Sequence, residues 1–141
     1  MSQKITAILM LEMMGRPKEH LVETLEGFVK QIDSEKNVTV TNSKIQEPAL
    51  VKDKEDLFTT FAEIEVEVAE FGNLAMLMFK YMPAHVEVIE PEKLEVGNNI
   101  ASEVLSEITR RLHKYEELTR LMQMEMQVAK KQIDKLKEEK N

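Results

Sequence analysis

The sequence predicts an α+β fold: a ferredoxin-like βαββαβ sandwich followed by a long C-terminal α-helix. Three observations carry that expectation. Period-two apolar patterns recur at residues 4–13, 37–45, 62–68 and 85–89. Two apolar stripes at helical spacing fall between them, giving the order β-α-β-β-α-β of a split βαβ unit. A heptad register then runs unbroken from Ala101 to Leu136. The 141 residues suit one domain with an appendage, divided as 1–97 and 98–141.

The first strand, KITAILMLEM, sets Ile5, Ala7, Leu9, Leu11 and Met13 on one face and Thr6, Ile8, Met10 and Glu12 on the other. Gly15-Arg16-Pro17 breaks it, and Pro17 suits the first turn of a helix that reaches Ile32. Leu21, Val22, Leu25, Phe28, Val29 and Ile32 form that helix's apolar stripe. NVTVTNSKI is the second strand, and Pro48 marks an edge or a bulge close to it. After the charged turn KDKED, Ala62, Ile64, Val66 and Val68 alternate with Glu63, Glu65 and Glu67. Gly72-Asn73 reads as an N-cap region before a short apolar helix, Leu74 to Met82, which Pro83 stops. Val86 and Val88 share a face of the fourth strand, which Pro91 ends, and Gly97-Asn98-Asn99 precedes the long helix. Right-handed crossovers place the first and third strands at the centre of a four-stranded antiparallel sheet, with two helices on one face.

Two short stretches resemble families that share this arrangement. MGRPKEHL, residues 14–21, resembles the strand-to-helix turn of ACT domains, with Lys18 where that turn has glycine. This resemblance implies a small-ligand-sensing site at Gly15, Arg16 and Pro17. HVEVIEPEKLE, residues 85–95, resembles the closing strand of the C-terminal extension of WYL-type regulators, whose DNA-binding parts have no counterpart here. The whole chain also resembles short uncharacterised archaeal proteins, which implies no function.

Composition narrows the function classes. Hydrophobic residues at 43% against 32% charged describe a chain that can build a core. Without cysteine there is no disulfide, thiolate metal site or thiol nucleophile. The net charge of −7 divides into −8 over residues 1–100 and +1 over 101–141, and an acidic body repels nucleic-acid phosphate. The apolar run from Ile5 to Leu11 is too short for a membrane span or a secretory signal, so a cytoplasmic protein is expected.

Chemistry has few candidates. Glu63, Glu65, Glu67 and Glu87 share one sheet face, but alternate residues of a strand lie about 7 Å apart, which suits a solvated acidic face better than a shared ion. His20, His85 and His113 lack metal-ligand spacing; His85 beside Glu87 is the one pair that could form a small site. Ser43, Ser102 and Ser106 lack a nucleophile-elbow context. No catalytic residue, metal or cofactor is assigned, and an enzyme is the least favoured reading. Ile8 and Met10 lie on the same face as the glutamates, so an apolar centre with an acidic rim is expected to be covered, by the long helix or by another subunit.

The long helix carries the functional expectation. Leu105, Leu112, Thr119, Met126 and Ile133 fall at heptad position a, and Ala101, Ile108, Tyr115, Met122, Ala129 and Leu136 at d. Val104, Leu118, Leu121 and Val128 widen this seam towards a second side. A helix of about 55–60 Å exceeds what a 100-residue body with a radius of gyration near 13 Å can cover. The expectation is a non-enzymatic interaction module that self-associates, as a dimer first of all. Its interface is Leu105, Ile108, Leu112, Tyr115, Thr119, Met122, Met126 and Ile133, with Ile8 and Met10 on the sheet. Another protein partner on the helix is the alternative occupant; no nucleic-acid or membrane partner is expected.

Overall fold

A computed structural model describes residues 4–140, so Met1–Gln3 and Asn141 of the expected domains lie outside the described residues. The chain forms two units, Met1–Ile100 and Ala101–Asn141. The elements are β1 (Ile5–Gly15), α1 (Lys18–Asp33), β2 (Val38–Ile45), β3 (Ala49–Leu50), β4 (Phe58–Val68), α2 (Phe71–Tyr81), β5 (His85–Glu90) and α3 (Asn98–Lys140).

The sheet runs β2-β4-β1-β5, with the short β3 pairing β4, and every pairing is antiparallel. The longest strands, β1 and β4, hold the centre, as the ferredoxin-like arrangement requires. Their register pairs Ile5 with Val68, Ala7 with Val66, Leu9 with Ile64 and Leu11 with Ala62. One face is therefore continuous aliphatic surface, and all eight residues are buried. Leu25 and Ile32 of α1 and Leu74 and Leu77 of α2 join the same core cluster, so both helices lie on that face. Leu21, packed under Gly15, begins this stripe; a Cβ at Gly15 would meet its Cδ2 at 3.3 Å.

Two strand irregularities adjust the edges. A register shift between Val40 and Asn42 lets Val38 and Val40 face the core with Val68 and Val66 and Ile45 face it with Ala62, while Ser43, opposite Ile64, stays exposed. A second shift opposite Thr6 and Ala7 leaves Val86 and Val88 on the core side of β5, although that edge strand is exposed along its length.

The second helix begins earlier than its sequence suggests. Glu70, not Gly72-Asn73, is the N-cap, and Asn73 at N3 returns its side-chain oxygen to the Glu70 backbone N–H at 3.0 Å. This capping box uses Glu and Asn in the reverse of their usual places, which hides it from a residue-type search. The helix closes on Met82, which holds the left-handed conformation at φ 45° and donates its N–H to the Met78 carbonyl at 3.0 Å. A side chain in that conformation is strained, and Met82 is 64% exposed. Met82→Gly is expected to raise stability by about 0.5–1 kcal/mol, read as a higher denaturant midpoint at unchanged slope.

Candidate functional site

The surface most open to interaction is α3. It has 43 residues, no glycine or proline, and no buried residue among those described. Every large apolar seam residue faces solvent, from 40% exposure at Ile108 to 70% at Met126. Isolated helices are marginal in water, and most helical stability in proteins comes from packing an apolar face. The polar side adds local support. Glu107 pairs with both Arg110 and Arg111, the latter at 2.9 Å, and Glu116 accepts from Arg120 at 2.5 Å. Such exposed pairs contribute a few tenths of a kcal/mol each, far less than burial of the seam would.

A second surface is the sheet face opposite the two helices. Register places Ile8 between Glu65 on β4 and Glu87 on β5, and Met10 between Glu63 and His85. Thr6 lies between Glu67 and Glu90, while Glu12 opposes Phe61. Ile8 and Met10 are half-buried; Glu63, His85, Glu87 and Glu90 are exposed. Some of the glutamates have polar neighbours at the margins. Lys4 pairs with Glu67 at 2.9 Å, Lys44 opposes Glu63, and the Thr41 hydroxyl donates to Glu65 Oε2 at 2.9 Å. The expected apolar centre with an acidic rim is thus assembled from three strands. Sequence periodicity indicates the faces, but only register brings Glu87 beside Ile8.

The turn at Arg16 and Pro17 borders a shallow cleft with Lys18, Glu19, Asp56 and Phe58. Two cations and two carboxylates line it, so it has no net preference for an anion. Pro17 is the N-cap of α1 and provides no side-chain cap. Among the described residues, no group of three or more His, Asp or Glu side chains could hold a metal ion.

A half-buried polar cluster has no signal in the sequence. Glu35, just after α1, accepts from the Tyr81 hydroxyl at 2.6 Å and from Lys80 at the end of α2. The Tyr81 ring meets Phe28 edge-on at 6.3 Å between centroids. Forty-six residues separate Glu35 from Tyr81, and nothing local links them. Hydrogen bonds from Lys80 and then Tyr81 hold the Glu35 carboxyl below its ordinary value of 4.5. Burial, then the bond to Glu35, pushes the Tyr81 phenol well above its ordinary value of 10.

The signs follow from linkage. A lowered carboxyl contributes stability above its unfolded value and loses it as pH falls through the folded one. A raised phenol contributes below its unfolded value and loses it as pH rises towards the folded one. Tyr81→Phe is therefore expected to be most destabilising between about pH 5 and 9, with the difference shrinking on either side. Denaturant titrations of both proteins across pH measure it.

A family model matches residues 6–141, nearly the whole chain, with both surfaces and α3 inside the match. The chain belongs to the MJ0538 family. No curated protein and no solved structure matches it. In this MJ0538-family chain, no helix among the described residues is long and apolar enough to cross a membrane. The family match includes the α3 seam together with the body.

Proposed function

We propose that this protein is a non-enzymatic association module: a cytoplasmic, ferredoxin-like body that self-associates through α3, as a dimer formed by coiled-coil pairing. The observation that carries this reading is the exposed seam of α3. From Leu105 to Leu136 it runs about 46 Å with its large apolar residues in water. Full burial of a Leu, Ile or Met side chain contributes roughly 1.5–3 kcal/mol, so the seam offers enough driving force to hold two chains together. Tyr115 and the long Met side chains suit a seam that also meets weaker positions at Ala101, Thr119 and Ala129. The absence of disulfide chemistry fits a reducing compartment.

Light scattering on the eluting full-length protein tests the reading. The expected mass is twice the 16.3 kDa of the chain, or a higher multiple. A chain that stays monomeric at tens of micromolar would sink it.

A further inference from the structure

Once the a and d positions of α3 are assigned to a seam, a second apolar flank remains. Leu118, Leu121, Met124 and Val128 follow one another at steps of three and four, on the g, c and f positions that run from one side of the seam round to the back of the helix. All four are exposed, and Leu121, Met124 and Val128 line a shallow groove along the helix. Lys114 precedes this flank at the same spacing, and Lys131 and Lys135 follow it. Glu125 lies within it and Glu117 at its margin. The flank is thus an apolar centre with lysines at both ends.

The open sheet face is its complement. There Ile8 and Met10 form an apolar centre, with Glu63, Glu65, Glu87 and Glu90 around it. The apolar segments match in length, about 15 Å of helix from Leu118 to Val128 and about 13 Å of strand from Thr6 to Met10, and the lysines lie beyond the ends of the helix segment. The charge pattern also discriminates between occupants. A second sheet packed face to face would set glutamates against glutamates. The lysine-ended flank of a helix sets opposite charges together. The occupant is taken from a second copy because the proposed seam already brings the α3 of another chain to the molecule.

We propose that the open sheet face of one copy takes the Leu118–Val128 flank of α3 from a second copy, with the glutamates of the sheet meeting Lys114, Lys131 and Lys135. The proposal rests on the self-association reading and adds the body to the interface. It gives the acidic face a partner of defined chemistry: a lysine-ended apolar helix flank of this same chain.

The absence of cysteine makes the contact directly measurable. A tagged Ile8→Cys chain is mixed with an untagged Leu121→Cys chain under mild oxidation, and the mixed disulfide is read by its mass. Glu23→Cys, exposed on α1, replaces Ile8→Cys as the control. Met10→Cys stands in if Ile8→Cys fails to fold. The expected result is a mixed disulfide several-fold above the Glu23 control. A dimer by light scattering without that excess overturns this inference and leaves association through the seam standing. A monomer overturns both. A chain carrying both cysteines that closes on itself at high dilution, with no cross-chain product, also overturns it, since the occupant is then its own helix. Charge reversal gives an independent readout. Lys131→Glu with Lys135→Glu should weaken association about tenfold at low salt, and Glu63→Lys with Glu65→Lys should restore it. Failure of both effects counts against the proposal.

Discussion

Leu9→Ala is expected to destabilise the protein by about 3–4 kcal/mol, measured by denaturant unfolding at fixed protein concentration. Leu9 is fully buried on the central strand β1, paired with Ile64 on one side and Val86 on the other. Removing its branched end leaves a void that two central strands and the helix layer cannot close without losing register. The adjacent residue supplies the contrast. Met10 points to the opposite face and is only half-buried, so Met10→Ala should cost under about 1.5 kcal/mol. Equal losses at both positions would mean that the two faces are not distinguished as β1 and β4 pair them. Protein concentration must be held constant because association would add to the apparent stability.

On the proposed self-association through α3, paired substitution of Leu112→Glu and Met126→Glu is expected to leave the protein monomeric. Both residues sit at heptad position a and are exposed within one chain, at 63% and 70%. Two copies place four such side chains in the seam, and each contributes roughly 1.5 kcal/mol or more on burial. The dissociation constant should therefore rise at least about a thousandfold. Light scattering would read this as a fall to the chain mass. Helical signal in the far-ultraviolet should fall too, because a single helix without packing is marginal. Arg120→Glu, on the polar side, tests for a general charge effect and should leave the mass unchanged. A double variant that keeps the parent mass would remove the seam from the interface.

Much of the fold is legible along the chain. Val66 and Val68 with Ile64 and Ala62 signal β4 through alternation, and Leu21, Leu25 and Ile32 signal α1 through helical spacing. The two-residue β3 offers too few residues for any period to show. The start of α2 lies ahead of the position its sequence suggests because a glutamate caps it and an asparagine closes the box, while Gly72 and Asn73 look like an opening turn. At the candidate surfaces, the α3 seam is fully readable, since heptad spacing is a property of one helix. The acidic face is only half readable. Glu63, Glu65 and Glu67 declare a common side by alternation, but Lys44 opposite Glu63 depends on a bulge in β2 that shifts its parity.

The sequence by itself determined which residues belong to each face of the long regular elements β1, β4, α1 and α3, and the order in which the main elements come. These are periodicities of two and of three to four residues, set by backbone geometry within a few bonds. Tertiary structure alone decided which faces meet. It set Ile8 between Glu65 and Glu87, and it brought Glu35 to Lys80 and Tyr81. Those neighbours are distant in the chain. Their placement depends on the register that buries the most aliphatic surface between β1, β4 and the two helices, a choice made by the whole core at once.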